Sequence, residues 1–560
     1  MSSSLTAQQL GFTYRRSSTA ALTGVDLRLP PQQFTALLGA AGAGKSTLAM
    51  ALTGLIPRSV RGRREGTVHL DGRDLAELAA AEVAQHIGIV FQDFESQLFA
   101  TSVTLELAFG LENLAVETTE MRQRVEDYLR LLRLTELRDR EPATLSGGQK
   151  QRLALAAALA LEPEILILDE PTTDLDAASR VEVIRAARWW RGRPRTLVLV
   201  EHDTEAVLGP PGGPGADRVV LLEAGQVAVD GPADTVLRDP ALLRRHGVRP
   251  PQVADVCDRL GLPEIALTVA EAVPLIGSLR PSAGPARARG APGPAVVSAR
   301  HLDHEYPDGR AQALRDVSVD IHEGQFTAIM GRNGSGKTTL AKVLSGLLVP
   351  DAGQVDVLGR DLRGLPRADL ARHVGYVFQN PDHQLFSATV ADEIAFGPRN
   401  FGLPDDEVRD RVDAALADVG LTELRRTDPF LLRKGDRQRL AVAAVLAMSP
   451  RVIVLDEPTT GLDERQQQAV MRLLRRLNRA DLTVVMVTHH ANLVAEYADR
   501  LVVMTDGRIV LDGPPEVVFR RRDVLAAASV LPPPVVDLAD ELRVDALTVD
   551  ELAAVLRVGR

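Results

Sequence analysis

The sequence is written twice. Residues 39–46 read GAAGAGKS and residues 331–338 read GRNGSGKT. Phe91-Gln92 returns as Phe378-Gln379, Leu168-Asp169-Glu170-Pro171 as Leu455-Asp456-Glu457-Pro458, and His202 as His489, each 287 residues later. Repetition on this scale means a duplicated domain, and 560 residues is more than one hydrophobic core usually supports. Lys45 and Lys337 lie 292 apart, so the first half holds five extra residues before its glutamine; the basic stretch 58–64 is expected to hold them as a solvated loop. The echo continues past the shared motifs: PPQVADVCDRL at 250–260 answers PPPVVDLADEL at 532–542, and LTVAE at 267–271 answers LTVDE at 547–551. The expected organisation is a first domain over 1–249 with a helical appendix over 250–276, a linker over 277–295, a second domain over 296–530, and its appendix over 531–560. The linker is read from its Pro, Gly, Ala and Arg content without apolar periodicity.

Within each half the pattern is α/β. Short apolar runs at 34–38, 87–90, 165–168 and 197–200 predict buried parallel strands with helices between them, and 218–230 predicts a hairpin turning at Ala224-Gly225. A formal charge of -10 argues against a nucleic-acid partner, which needs clustered basic charge. The single cysteine, Cys257, excludes an internal disulfide and any multi-cysteine metal site, and is expected to be a small buried hydrophobe. Residues 1–20 are polar and give no sign of a signal peptide. The most apolar stretch, 153–168, is interrupted by Glu162, Pro163 and Glu164 and falls short of the roughly 20 residues that span a bilayer. The expectation is a protein at the cytoplasmic face of a membrane, acting on it through partners.

The glycine-rich motif follows an apolar strand and opens a helix in both copies, the context of a phosphate-binding loop. Its backbone N–H groups and helix N-terminus suit a triphosphate. Gly39, Gly42, Gly44, Lys45, Ser46 and Thr47 form the first such set, and Gly331, Asn333, Gly334, Ser335, Gly336, Lys337, Thr338 and Thr339 the second. The lysines supply charge, and Ser46 and Thr338 a hydroxyl for Mg²⁺. Asp169 and Asp456 end apolar strands, where a carboxylate can hold the same metal; Glu170 and Glu457, next in the chain, can polarise an attacking water. His202 and His489 each follow their glutamate by 32 residues, a spacing that suits a contact to the γ-phosphate. Tyr14 and Tyr306 are placed to stack on adenine. Trp189-Trp190 has no counterpart in the second half and is read as helix packing.

Leu145-Ser146-Gly147-Gly148-Gln149 precedes a helix, and with it the sequence resembles the ATP-binding-cassette ATPases. The resemblance covers about nine-tenths of the chain. It implies two tandem P-loop NTPase domains, each with a RecA-like parallel-sheet core, an antiparallel β subdomain and a helical subdomain. It further implies head-to-tail pairing, with each MgATP between the P-loop of one cassette and Ser146, Gly147, Gly148 and Gln149 or their counterparts in the other. Gln92 and Gln379 would touch the active-site water or metal and relay the event to membrane subunits. In the second half the signature reads Leu432-Arg433-Lys434-Gly435-Asp436. Under head-to-tail pairing this altered segment would cover the nucleotide held by Lys45, which predicts faster turnover at the Lys337 site.

FQNPDHQLF at 378–386, followed by Ala395-Phe396-Gly397-Pro398, and FQDFESQLF at 91–99 resemble the ATPases of energy-coupling-factor importers of vitamins and transition-metal ions. That resemblance implies a transmembrane coupling subunit and a membrane substrate-binding subunit as partners, docked near Gln97-Leu98-Phe99 and Gln384-Leu385-Phe386. A soluble tandem cassette acting on ribosomes or nucleic acid is the rival reading; its usual long charged connector or inserted metal and coiled-coil modules have no match here. An exporter ATPase shares every catalytic motif, and only the 378–386 region speaks against it.

Overall fold

Five-residue runs that are apolar at all but one position bury both faces of a strand, and in the computed structural model they occupy the middle of two sheets. The structure describes residues 3–15, 17–171, 179–183, 185–186, 195–209, 215–277, 292–306, 312–462 and 464–557. It divides into two units, Met1–Ser278 and Leu279–Arg560. Trp189-Trp190 and all of the expected linker except Gly277 and residues 292–295 lie outside the described residues.

In the first unit a six-stranded sheet runs in the order Gln226–Pro232, Arg218–Glu223, Phe34–Leu38, Thr196–Val200, Ile165–Asp169, Ile87–Val90. Neighbours are parallel except the first pair, the hairpin expected at 218–230. Its turn residues Ala224 and Gly225 both have positive φ (47° and 79°), as a two-residue hairpin with native strand twist requires. The register is what matters for function: Leu37 and Asp169 both pair with Val200. The residues that follow these strands, which are the P-loop, Glu170 and His202, therefore emerge together at the carboxyl edge, where open α/β sheets bind ligands.

A second sheet, antiparallel and in the order Leu22–Leu29, Leu5–Tyr14, Gly62–Leu70, Arg73–Asp74, alternates buried and exposed positions and covers the P-loop helix Lys45–Leu52 through one core. Here one expectation is corrected. Leu70 and Val357 lie opposite Leu5 and Val297, so the extra residues do fall between Lys45 and Leu70, yet residues 62–64 are not loop. Gly62, Arg63 and Arg64 pair with Tyr14, Thr13 and Phe12, because extending the ladder satisfies backbone groups that a loop would leave to water. The Arg58 guanidinium donates to the carbonyls of Leu75 and Leu78.

Helices Val103–Asn113, Thr118–Leu131 and Gly147–Ala160 pack around Leu107, Leu111, Leu129 and Leu153 as the helical subdomain. After the sheets come Gln252–Arg259 and Val269–Ile276, pinned by Arg244 to Asp255 and Asp258 (2.7 and 2.6 Å) and by Arg238 to Glu271 (3.0 Å). Cys257 is buried in the first of these helices.

The second unit repeats the plan. Its six-stranded sheet has the order Val374–Val377, Val452–Asp456, Thr483–Val487, Phe326–Gly331, Arg500–Thr505, Arg508–Gly513, and Ile329 and Asp456 share Val487 as partner. The antiparallel sheet runs Leu314–His322, Ala295–His304, Ala352–Val357, Arg360–Asp361. Helices Val390–Asn400, Asp405–Val419 and Lys434–Leu446 form its helical subdomain, and Pro534–Glu541 and Val549–Arg557 follow the sheets. Among the described residues no helix is long and apolar enough to cross a membrane.

Candidate nucleotide sites

Each P-loop curls around its own lysine. Lys45 Nζ donates to the Gly39 and Ala40 carbonyls at 2.8 and 3.2 Å, and Lys337 Nζ to those of Gly331 and Arg332 at 2.9 Å each. Gly44 and Gly336, in the left-handed region (φ 100° and 97°), turn the chain into helices Lys45–Leu52 and Lys337–Leu344. The next hydroxyl meets the strand-end carboxylate: Ser46 Oγ donates to Asp169 Oδ1 and Thr338 Oγ1 to Asp456 Oδ1, both at 3.2 Å. These are hard oxygen donors, two from the protein at each site. That set fits Mg²⁺, which takes one or two protein oxygens and completes its shell with phosphate and water.

Burial pushes the Asp169 carboxyl up to about 6, against the Ser46 hydrogen bond, with Glu170 adding to the rise. Asp456 is likewise raised by burial and then by Glu457. The rise is the mark of carboxylates crowded in a water-poor pocket, which a cation would relieve.

The glutamates sit in the left-handed region (φ 48° for each), rare for a residue with a Cβ, and each donates its N–H to the end of the neighbouring strand, Val200 or Val487, at 2.9 Å. Their partners differ. Glu457 Oε2 lies 3.1 Å from His489 Nδ1 and accepts from Thr460 Oγ1 at 3.2 Å. Burial works to raise this carboxyl, but the His489 imidazole, with Lys337 and Thr460, holds it below its usual value. Glu170 Oε2 instead accepts from Gln92 Nε2 at 2.7 Å and lies 3.9 Å from His202 Nδ1. Gln379 is exposed and has no bond to Glu457.

Tyr14 and Tyr306 each reach back to the P-loop helix, to Thr47 Oγ1 at 2.9 Å and Thr339 Oγ1 at 3.3 Å. Phe12 and His304 stand edge-on against them, with ring centroids 4.9 and 5.0 Å apart. Ser146 starts helix Gly147–Ala160, and its N–H donates to Gln149 Oε1 at 2.9 Å; Ser146 and Gly147 are exposed and Gly148 is buried. In the second unit Arg433 holds the same place before helix Lys434–Leu446 and makes no side-chain cap.

Three neighbours of the sites escaped the sequence reading. Tyr376 donates to Asp456 Oδ2 at 3.1 Å where the first half has Ile89, Thr460 holds Glu457, and Glu201 is fully buried beside His202 where the second half has Thr488. Superposing the halves at the 287-residue offset exposes the first and third as unlike pairs.

The family model described as ABC transporter matches residues 22–173 and 314–460, and a model described as an AAA domain, putative AbiEii toxin, matches 434–495. A putative ABC transporter ATP-binding protein of Caldanaerobacter subterraneus is 40% identical over 98% of this chain and 98% of its own. One of Methanosarcina mazei is 38% identical over 98% and 96%, and one of Vibrio parahaemolyticus 32% over 95% and 93%. Among solved structures, cbiO1 of Clostridium perfringens, described as part of the ABC transporter complex cbiONQ, is 35% identical over 44% of this chain and 99% of its own, with a TM-score of 0.38. Two P-loops, two strand-end Asp-Glu pairs and relatives matching end to end lead to one conclusion: the chain belongs to the ABC transporter family as an ATP-hydrolysing protein with two tandem ATP-binding domains.

Proposed function

We propose that the chain powers an importer of the energy-coupling-factor type, taking up a vitamin or transition-metal ion through a transmembrane coupling subunit and a membrane substrate-binding subunit. The observation that carries this reading is a matched pair of exposed aromatic contacts. Phe99 and Phe109 stack edge to face at 4.5 Å, Phe386 and Phe396 at 4.7 Å, and all four are 44–62% exposed. In both halves they follow the glutamine: Phe99 and Phe386 end the FQDFESQLF and FQNPDHQLF segments, and Phe109 and Phe396 lie in the helices Val103–Asn113 and Val390–Asn400 that come next. Large aromatic groups left in water at equivalent places mark a surface that another apolar surface covers.

In the same reading Lys45 and Lys337 bind the phosphates, Ser46 with Asp169 and Thr338 with Asp456 hold Mg²⁺, and Gln92 and Gln379 touch that metal or the attacking water. Mg²⁺ supplies charge neutralisation between the phosphates. Glu170 and Glu457 act as general bases, His202 and His489 contact the γ-phosphate, and Tyr14 and Tyr306 stack on adenine. The two units pair head to tail, so Ser146, Gly147, Gly148 and Gln149 complete the Lys337 site and the altered Arg433-Lys434 segment the Lys45 site. The Lys337 site then turns over faster.

Replacing Phe386 and Phe396 together with Ala is expected to abolish co-purification with membrane proteins from the native host while MgATP binding stays intact. Recovery of ribosomes or nucleic acid with the wild-type chain would overturn the importer reading. For the sites, Glu457→Gln should reduce steady-state hydrolysis more than Glu170→Gln, and the reverse order would overturn the assignment of the faster site.

A further inference from the structure

Glu201 stands in the first unit where the second has Thr488. Both residues follow a buried strand in the same register, Val200 against Leu37 and Val487 against Ile329, and both donate their N–H to the neighbouring strand, to the Leu37 and Ile329 carbonyls at 3.0 and 3.1 Å. The second unit makes this junction with a neutral side chain. The first places a fully buried carboxylate there, in a pocket that already holds Asp169 and Glu170. A third acid in this pocket, where the second unit has a hydroxyl, sets the two sites apart.

Its surroundings show what it touches. Glu201 Oε2 accepts the backbone N–H of His202 at 3.3 Å and lies 3.9 Å from the same residue's Nδ1. His202 Nδ1 is also 3.9 Å from Glu170 Oε2, so the ring is equidistant from two carboxylates and within hydrogen-bond reach of neither. In the second unit the Thr488 hydroxyl accepts from the N–H of His490, one residue further on, at 3.1 Å, and the His489 ring closes on Glu457 at 3.1 Å. Gln92 donates to Glu170 Oε2, whereas in the second unit the His489 ring lies against Glu457 Oε2.

We propose that Glu201 is a positioning residue whose negative charge draws His202 away from Glu170, so that inequality between the two sites is built into the first half itself as well as into the altered signature. This rests on the reading of Glu170 and Glu457 as general bases. Glu201 acts on Glu170 through His202: its carboxylate fixes the backbone of the histidine and competes for its ring, which keeps the imidazole off Glu170 Oε2.

The test uses the full chain with ¹³Cε1-labelled histidine, the His202 and His489 resonances being identified by their loss in His202→Gln and His489→Gln. Glu201→Thr copies the second half; Glu201→Gln keeps an acceptor for the His202 N–H and removes the charge. Both are expected to move the His202 resonance toward that of His489. If Glu201→Gln leaves the resonance at its wild-type position, the residue is only a backbone acceptor and the proposal fails; it fails equally if neither variant moves it. Retained binding of a fluorescent ATP analogue shows that each variant is folded. In the reciprocal experiment Thr488→Glu should hydrolyse ATP about tenfold more slowly than Thr488→Gln, a difference of about 1.4 kcal/mol in barrier. Equal rates for these two would overturn the idea. Turnover that survives Glu457→Gln would instead remove the general-base reading, and the resonance comparison stands independently of it.

Discussion

Most of what the nucleotide sites need is decided one residue at a time. Gly331 lies at positive φ (149°) against the Met504 carbonyl, where an added Cβ would come within 2.1 Å of the oxygen, whereas Gly334, also at positive φ (79°), has nothing within 4 Å. Gly334→Ala should therefore cost only the left-handed backbone, about 1 kcal/mol, and Gly331→Ala more than about 2 kcal/mol because backbone must move. Urea unfolding of the two variants checks the order. Tyr376 is the other residue whose removal has a definite sign. Tyr376→Phe keeps the ring and deletes the hydroxyl that donates to Asp456, so a hydrogen bond to a buried carboxylate is lost. The expected destabilisation is about 1.5–3 kcal/mol in the unfolding of the second unit. Ile89→Tyr in the first half tests whether the bond is transferable, and a gain in stability there would show that the pocket accepts it. The motif residues were legible in the sequence because phosphate chemistry restricts them to a few types at fixed spacing. Tyr376, Thr460 and Glu201 were not, because a tyrosine, a threonine and a glutamate at strand or loop ends carry no spacing of their own; only comparison between the halves marks two of them.

At the scale of elements, the sheets were readable for the opposite reason. Runs such as Ile165–Asp169 and Val452–Asp456 are buried on both faces, so composition alone announces them. The strand Gly62–Leu70 was not announced: its first residues are Gly, Arg and Arg, and they become strand only because Phe12–Tyr14 offers a ladder, a contact made across some fifty residues of chain. The helix Thr204–Leu208 shows how a short element is held from outside. Asp203 caps it by accepting from Glu205 N at 3.0 Å, Thr204 Oγ1 donates to the Arg249 carbonyl at 2.9 Å, and Glu205 Oε1 accepts from Gln252 N at 2.8 Å, so the helix beyond His202 is tied to the start of helix Gln252–Arg259. Burial raises the Glu205 carboxyl to about 7, with Asp203 adding to the rise and Arg249 and the Gln252 N–H opposing it. The native state therefore keeps a proton that the unfolded chain releases above about 4.5, and its stability falls as pH climbs from there to about 7. Glu205→Gln, which cannot ionise, should be more stable than wild type at pH 8 by about 2 kcal/mol and no different near pH 4. Solvent reaching the partly buried side chain keeps the gain below the full linkage value. Urea midpoints at the two pH values measure it.

For the whole molecule, the duplication is the strongest fact in the sequence, and it predicts more than two similar folds. In the proposed head-to-tail pairing each half would offer its P-loop to the signature segment of the other. The halves have also diverged in complementary ways: LSGGQ against LRKGD, Glu201 against Thr488, Ile89 against Tyr376. Under the proposed head-to-tail pairing LRKGD, Glu201 and Ile89 all belong to the Lys45 site, so the three differences gather on one site. If the units do pair head to tail, Glu141, just before the intact signature, must approach Arg332 in the second P-loop when nucleotide is held between them. Both side chains are exposed, and the one native cysteine, Cys257, is buried, so spin labels at Glu141→Cys and Arg332→Cys report on this pair alone. In a chain that also carries Glu457→Gln, added MgATP should collapse a broad distance distribution to a single short one, and ADP should not. A distribution that ignores MgATP would mean that the two P-loops are completed from elsewhere, and the argument from divergence to unequal sites would lose its footing with it.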